Sequence, residues 1–431
     1  MIISIFELFL IWLLLKKQAI LHNRVLLFLS FLTQFFILIL YRVELEGFWG
    51  RDVYWSDAEY YWNALLSMLE GQKVEVYNIL YVFYSYLLQV TSPFVSPLWN
   101  NLSNIFLVDL SFLFIIQTLL VSYDYQGSRA RIVLNPEIYL VTICNPLVIY
   151  SLLRNLKDAL FLFLVVFSVY LYVVVFRRFK SRVLILLFSV CYTASFGILL
   201  TLVRPWGWIV PIINSFAIPL SLSPIPKIRF FIKSYIPIII SVILAGSFLV
   251  FRNAKSVELW LGAREQIMQQ TGIVHSPFGL IGAPFRFLLG PGPIRSLLGK
   301  QYFWFYTYTG IACSFVGSMF WWFLLPLFVT KVLREGFTRS VFGRATPFFL
   351  NFGLFLAVYS FFYGGSAELR LRGVLYIFLG ALWVNSWFRK VSLAESGMIC
   401  KKKPMFSRKG ELFVFSTLFA IVALAGILCS F

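Results

Sequence analysis

The sequence predicts an all-α polytopic membrane protein with about 11–12 transmembrane helices and a long first extracytoplasmic loop that carries interfacial helices. Hydrophobic residues make up 60% of the 431-residue chain and charged residues only 13%, and the mean hydropathy is +0.84. A soluble domain carries about 45–50% apolar and about 25% charged residues. This composition therefore cannot cover a water-facing surface. The 48 Phe, 22 Tyr and 13 Trp suit lipid-facing helices with aromatic belts at the interface.

Apolar runs of spanning length recur along the chain, which we interpret as a single transmembrane domain of residues 1–431. A shorter run at 2–15 contains Glu7 and is followed, not preceded, by lysines, so it predicts a short first helix and not a cleavable signal. Asp109 lies inside a predicted span, where either a hydrogen bond to a neighbouring helix or a function would explain it. The predicted spans lie near 25–41, 102–122, 135–152, 158–176, 183–201, 206–222, 233–251, 306–330, 345–363, 373–388 and 411–430.

Charge predicts the orientation of these spans. The net charge is +19, and 23 of the 37 basic residues lie in six short loops. All six loops face one side if the Tyr-rich segment 78–92 lies along the opposite interface, which satisfies the positive-inside rule. We therefore predict extracytoplasmic loops at 42–101 and 252–305 and a basic cytoplasmic loop at 389–410. The positive charge is explained by topology and by the lipid bilayer, so no nucleic-acid partner is expected.

The usual sequence signatures of metal, disulfide and nucleotide sites are missing. The five cysteines are scattered, odd in number and without a CxxC spacing, which favours neither a disulfide framework nor zinc. His275 has no ligand partners at metal-binding spacing. No Gly-rich phosphate loop occurs, so the sequence predicts no nucleotide cofactor.

Acidic residues are concentrated in one stretch of the first predicted outer loop. Residues 51–71 contain Asp52, Asp57, Glu59 and Glu70, four of only 18 acidic residues in the chain. Other charged segments fall at helix ends on the same predicted face, and they contain Lys157, Asp158, Arg204, Arg370 and Arg372. Carboxylates that meet Arg and Lys at a membrane surface suit a substrate with a phosphate on a lipid tail.

The order of these motifs resembles that of the GT-C superfold of integral-membrane glycosyltransferases. This group includes protein O-mannosyltransferases and the lipid A aminoarabinose transferase. The resemblance covers roughly residues 25–390. We identify no large C-terminal periplasmic domain in the sequence. The motifs are Ser56-Asp57-Ala58-Glu59, Asn101 with Asn104, Asn145-Pro146, Lys157-Asp158, Leu202-Val203-Arg204, Pro284-Phe285-Arg286 and Arg370-Leu371-Arg372.

The resemblance implies transfer of a sugar from a polyprenyl-phosphate donor to a glycan, lipid or protein acceptor. Asp57 matches the position that activates the acceptor hydroxyl, and Glu59 completes a short Asp-x-Glu pattern with it. Lys157, Arg204, Arg370 and Arg372 would stabilise the leaving phosphate, and Asp158 would orient Lys157 or bind the sugar. The resemblance leaves open whether Asp57 and Glu59 bind a divalent cation. The expected location is a bacterial inner membrane, with the active site on the extracytoplasmic side.

Other interpretations remain open. A flippase for lipid-linked sugars would also contain many spans, and it would show broken helices that meet at the middle of the membrane. A polysaccharide polymerase or ligase would use closely related chemistry, and an inactive scaffold would keep the same topology. For individual residues, Asp57 could instead stabilise the first turn of a helix, Lys157 and Asp158 could form a simple ion pair, and Arg204 could reach toward lipid headgroups.

Overall fold

The computed structural model describes residues 1–17, 21–49, 57–76, 78–123, 136–179, 181–222, 262, 265, 281–289, 308–335, 343–362, 369–395 and 408–428. This part of the chain is 86% helical and has no β-strand. The prediction of an all-α polytopic membrane protein is confirmed. The predicted span 233–251 lies outside the described residues, as do most of loop 252–305, the centre of loop 389–410, Asp52 and His275.

The described chain forms a series of α-helices that are joined by short connections. One π-helical turn, Val358–Phe362, continues directly from the thirteenth helix. The helices are α1 (Ile2–Lys17), α2 (Leu21–Trp49), α3 (Asp57–Leu69), α4 (Ile79–Val90), α5 (Pro97–Ser122), α6 (Pro136–Val141), α7 (Pro146–Leu153), α8 (Asp158–Arg178), α9 (Arg182–Thr201), α10 (Ile209–Leu222), α11 (Ala283–Leu289), α12 (Tyr308–Glu335), α13 (Thr346–Ala357), α14 (Leu369–Glu395) and α15 (Arg408–Leu428).

Among the described residues, five segments are long and apolar enough to cross a membrane. They are Arg24–Glu44, Pro97–Ser122, Asp158–Arg178, Val183–Thr201 and Tyr308–Thr330. Four shorter apolar helices accompany them, at Ile79–Val90, Ile209–Pro219, Thr346–Phe361 and Leu371–Asn385. Within the described residues, the apolar segments lie where the sequence predicts them, although several of the predicted spans are shorter helices.

The predicted span 135–152 is wrong as a single helix. The structure divides it into α6 and α7, with a break between Val141 and Pro146. Pro146 has no backbone N–H and disfavours helical geometry at the residue before it. The Asn145 side chain accepts a hydrogen bond from Leu147 N at 2.9 Å and caps the new helix. An Asn-Pro pair inside an apolar run therefore starts a helix here and ends the preceding one.

Helix α5 is the centre of the bundle. It is buried along nearly its whole length and packs against α1, α2, α4, α8 and α14. Its polar outlier Asp109 accepts a hydrogen bond from Gln34 Nε2 of α2 at 3.3 Å, and the same nitrogen donates to Ile143 O at 2.9 Å. This contact is the hydrogen bond to a neighbouring helix that is one of the two explanations offered for Asp109. It also joins α5 to the break between α6 and α7.

Helix α14 approaches α7 closely because Gly373 has no side chain. A Cβ atom at this position would lie 2.7 Å from Leu147 O and 3.3 Å from Ser151 Oγ. Small residues allow membrane helices to approach this closely. This close approach also fixes the position of the neighbouring residue Arg372 along α7.

The predicted first outer loop contains two short amphipathic helices, α3 and α4. The buried side of α3 is formed by Ala58, Tyr61, Trp62 and Leu65, a spacing of three and four residues that places them on one face. In α4 the buried residues are Tyr81, Val82, Ser85, Leu88 and Gln89. Because α3 and α4 pack against each other and α4 also packs against α1 and α5, the loop is a folded part of the bundle.

The predicted topology can be tested by labelling single cysteines on the two predicted sides of the membrane. The sequence predicts that Arg178, Arg339 and Lys402 face the cytoplasm and that Asp57, Lys157 and Arg370 face outward. Lys73 is a better outer reporter than Lys157, because its side chain is 86% exposed and that of Lys157 is buried. In a cysteine-free background, a Cys at 73 should react with an impermeant reagent from outside, and a Cys at 178 only after permeabilisation. Labelling of a Cys at 178 from outside would refute the interfacial placement of 78–92.

Candidate functional site

The centre of the candidate site is the short connection between α7 and α8, residues Arg154–Lys157. Asparagines of α5 hold this connection in place. Asn101 Nδ2 donates to the carbonyls of Leu152 and Leu153 at 3.1 and 2.9 Å, and Asn104 Nδ2 donates to Arg154 O at 3.3 Å. The last carbonyls of a helix have no partner within the helix. The Asn101 and Asn104 motif thus fixes the backbone that carries Lys157.

A second set of polar contacts fixes Asn155 in the same connection. Its side-chain oxygen accepts hydrogen bonds from Tyr81 OH at 2.5 Å and from Asn100 Nδ2 at 2.7 Å. Asn100 in turn accepts from Gln89 Nε2 at 3.1 Å. Each of these side chains is almost completely buried, so the network joins α4, α5 and the connection rigidly.

Lys157 lies beneath α3. Its ammonium group donates to the hydroxyl of Tyr61 and lies 4.6 Å from the centre of the same ring. Tyr61 also packs edge-on against Tyr81, with ring centres 5.3 Å apart. Lys157 is 8% exposed. The first predicted outer loop and the start of α8 therefore meet at one buried cation.

Asp57 begins α3 and lies one helical turn before Tyr61, so both side chains belong to the same side of the helix. Asp57 is half-buried, and its negative charge at the first turn is favourable to the helix dipole. Glu59 follows two residues later, where side chains of a helix do not face each other. The Asp-x-Glu pattern is thus spread around α3. Within the described residues, no group of three or more His, Cys, Asp or Glu side chains could hold a metal ion.

Asp158 pairs with Arg204. The Arg204 guanidinium donates to a carboxylate oxygen of Asp158, and the two side chains are only 7% and 4% exposed. Arg204 belongs to the tight turn between α9 and α10, where Arg204 N donates to Leu200 O at 2.8 Å and Gly207 N donates to Arg204 O at 2.7 Å. A Cβ atom at Gly207 would lie 2.4 Å from Leu200 O, so the turn needs glycine there.

Arg372 reaches the same region from α14. It is 1% exposed, and its Nε donates to Phe287 O at 2.8 Å. Its Cζ lies 5.9 Å from the centre of the Phe287 ring, and the Phe287 and Tyr359 rings are 5.8 Å apart. Arg204 Cζ lies 5.8 Å from the centre of the Tyr359 ring on the other side. One pair of aromatic rings therefore separates the two guanidinium groups.

Further aromatic residues enclose Arg204. Its Cζ is 5.6 Å from the Phe161 ring centre, and Trp206 packs edge-on against Phe161 at 5.0 Å and Tyr359 at 6.1 Å. Tyr359 lies on the π-helical turn, a rare geometry that is frequent at functional sites. Within the described part of the chain, Trp206 Nε1 and Ser360 Oγ are buried polar atoms without a hydrogen-bond partner. Such groups are normally satisfied, so they are available to a ligand or water.

Among the predicted site residues, Asp158 and Arg204 are in direct contact. Lys157 contacts Tyr61, one turn after Asp57, and Arg372 contacts Phe287. Arg370 lies in the first turn of α14, but its side chain is not among those that the structure describes. Sequence reasoning did not identify Tyr61, Asn78, Phe287 or Tyr359. Only Tyr61 carried a usable signal, since it follows Asp57 by four residues in the acidic stretch. Comparison of the chain with protein-family models, with curated proteins and with solved structures found no match.

The arrangement has the chemical properties of an anion site. The basic residues Lys157, Arg204 and Arg372 are at least nine-tenths buried, and Arg204 is paired with the similarly buried Asp158. Burying charged groups is costly unless they are paired or bind a charged ligand. Arginine suits phosphate because its planar fork donates two parallel hydrogen bonds. The aromatic rings exclude water and so strengthen electrostatic attraction to a bound anion.

Proposed function

We propose that the chain is a membrane glycosyltransferase that moves a sugar from a polyprenyl-phosphate donor to an acceptor hydroxyl. The observation that carries this proposal is a chain of contacts between buried basic residues: Asn78 links Lys157 to Val203, next to Arg204, and Tyr359 and Phe287 link Arg204 to Arg372. The expected surroundings are a bacterial inner membrane, with the reaction on its extracytoplasmic side. The acceptor would be a glycan, a lipid or a protein.

In the proposed reaction the acceptor hydroxyl attacks the anomeric carbon of the sugar, and the bond from this carbon to the phosphate oxygen breaks. Asp57 accepts the hydroxyl proton, as a base within hydrogen-bond reach of the nucleophile. The polyprenyl phosphate leaves with the electron pair of the broken bond. Lys157, Arg204 and Arg372 stabilise the negative charge that develops on it. Asp158 acts through Arg204 by holding its guanidinium in place.

A flippase is the second candidate, because one observation favours it. Helices α6 and α7 form a broken pair, and Gln34 links the break to Asp109 at the middle of α5. Broken helices and intramembrane acids are typical of transporters. The basic cluster lies elsewhere, at helix ends, which supports the transferase. A polymerase or ligase would share that cluster and would differ in the acceptor.

The deciding experiment measures two activities of the purified protein in proteoliposomes. Radiolabelled polyprenyl-phosphate sugar is supplied with a lipid and glycan fraction of native membranes. Release of polyprenyl phosphate with formation of a new glycosidic linkage supports the transferase. Movement of intact donor across the bilayer without a change of linkage would contradict it and favour the flippase.

Arg372→Ala should weaken binding of the donor. A charge-assisted hydrogen bond to phosphate contributes roughly 1.5–3 kcal/mol, so the KM for the donor should rise about 10- to 100-fold. Lys73→Ala is the matched control, because this basic residue is 86% exposed and forms an exposed ion pair with Glu75. A KM that is unchanged in Arg372→Ala, or equally raised in Lys73→Ala, would remove Arg372 from the donor site.

A further inference from the structure

Asn78 lies at the point where the two halves of the basic cluster meet. It precedes α4 directly, and its side chain is completely buried. We assign its amide with the oxygen toward Tyr61 OH at 2.6 Å and Lys157 Nζ at 2.9 Å, and with the nitrogen toward Val203 O at 2.7 Å. The opposite assignment would place the nitrogen against the Lys157 ammonium and the oxygen against the Val203 carbonyl, with no donor and acceptor matched at either contact. One side chain therefore contacts three separate segments.

These segments are the ones that carry the candidate residues. Tyr61 belongs to the helix that starts at Asp57, Lys157 to the connection before α8, and Val203 precedes Arg204 in the turn after α9. A backbone hydrogen bond from Leu80 N to Leu202 O, at 3.2 Å, adds a second link between the start of α4 and this turn. Asn78 therefore ties Lys157 to the Arg204 turn, in addition to the ion pair between Asp158 and Arg204.

The contacts with Tyr61, Lys157 and Val203 require a side-chain amide of the length of asparagine. Aspartate at this position could accept from Tyr61 and Lys157, but it could not donate to Val203 O. Alanine would leave that carbonyl and the Lys157 ammonium without these partners in a buried place, which is costly. The sequence does not indicate this role of Asn78, because asparagine is common at helix starts and its three partners are known only from the structure.

We propose that Asn78 is a positioning residue of the anion site. Its amide holds the Lys157 ammonium at a fixed place relative to the Arg204 turn, so that both basic groups can contact one phosphate. The inference rests on the proposed function only for the chemical class of the anion, a phosphate on a prenyl chain. Asn78 touches no substrate in this role and acts through Lys157.

A double-mutant cycle tests this coupling through binding and not through turnover. The full-length protein in nanodiscs is titrated with a short-chain prenyl phosphate, for the wild type, Asn78→Ala, Lys157→Ala and the double variant. Asn78→Ala should weaken binding about 10-fold, and Lys157→Ala about 10- to 100-fold. In the Lys157→Ala background, the second change should alter binding by less than about 2-fold, because residues that act through one another are not additive.

Asn385→Ala is the matched control. Asn385 is a buried amide of α14 whose side-chain oxygen accepts from Tyr123 OH at 2.9 Å, away from the contacts of the anion site. Its effect on binding should be within about 2-fold and should add to that of Lys157→Ala. If Asn78→Ala does not fold, the same cycle is run with Asn78→Ser, which keeps a hydroxyl at the position.

The outcomes separate this inference from the proposed function. Additive effects of Asn78→Ala and Lys157→Ala, or an equal loss in Asn385→Ala, would overturn the positioning role. Failure of the wild type to bind the prenyl phosphate would overturn it as well. Coupled binding without sugar transfer in proteoliposomes would support the positioning role and refute the glycosyltransferase.

Discussion

Asp57→Asn is expected to lower sugar transfer by about 100- to 10,000-fold, because a positioned base contributes about that much to proton transfer. The substitution keeps the shape of the side chain and removes only its charge and its ability to accept a proton. The fold should persist, since Asn is as favourable as Asp at a helix start. The measurement is the kcat for transfer from polyprenyl-phosphate sugar, with thermal unfolding of the same preparation as the check on folding.

Two matched variants sharpen this test. Glu75→Gln removes an acid from the same loop, but Glu75 is 82% exposed and pairs with Lys73, so it should leave transfer unchanged. Glu59→Gln tests the second half of the Asp-x-Glu pattern, which the helix directs away from Asp57. A smaller loss in Glu59→Gln than in Asp57→Asn is expected. Wild-type transfer in Asp57→Asn would show that the carboxylate only stabilises the start of α3.

Apolar run length predicted most of the helices, because a bilayer requires about 20 apolar residues for each span. The segment 158–176 became α8, Asp158–Arg178, and 183–201 became α9, Arg182–Thr201. The same reasoning failed at 135–152, where hydropathy is continuous across a helix break. The break depends on local chemistry, a proline without an N–H and an asparagine that caps the next helix. A hydropathy profile contains neither effect.

The candidate site was predictable only in part, and for a related reason. Lys157, Arg204 and Arg372 stood out because charges near apolar runs are rare and costly. Their partners did not stand out. Asp158 is adjacent to Lys157 in sequence, yet its carboxylate binds Arg204 because the turn after α9 packs against the start of α8. Phe287 and Tyr359 are aromatic residues in a chain with 48 Phe and 22 Tyr, so only tertiary contacts distinguish them from lipid-facing ones.

Asp158→Ala should cause the largest loss of stability among the substitutions considered. The Asp158 and Arg204 side chains are 4% and 7% exposed, so removal of the carboxylate leaves a buried guanidinium without this counter-charge. Breaking a buried ion pair in this way costs roughly 3–5 kcal/mol. Unfolding in mixed micelles should therefore begin at much lower denaturant or temperature. Breaking the exposed Lys73–Glu75 pair should change the free energy of unfolding little, because exposed ion pairs contribute weakly.

A double replacement separates the structural role of this pair from its role in donor binding. Asp158→Leu with Arg204→Met removes both charges and fills the space with apolar groups, an exchange that is often neutral or stabilising for buried pairs. Stability should return close to that of the wild type, whereas donor binding should stay weak because one phosphate-binding guanidinium is gone. If the double variant is stable and transfers sugar at the wild-type rate, the Asp158–Arg204 pair only holds α8 against the turn after α9. If it is stable and inactive, the charge of Arg204 acts on the donor, since the fold no longer depends on it.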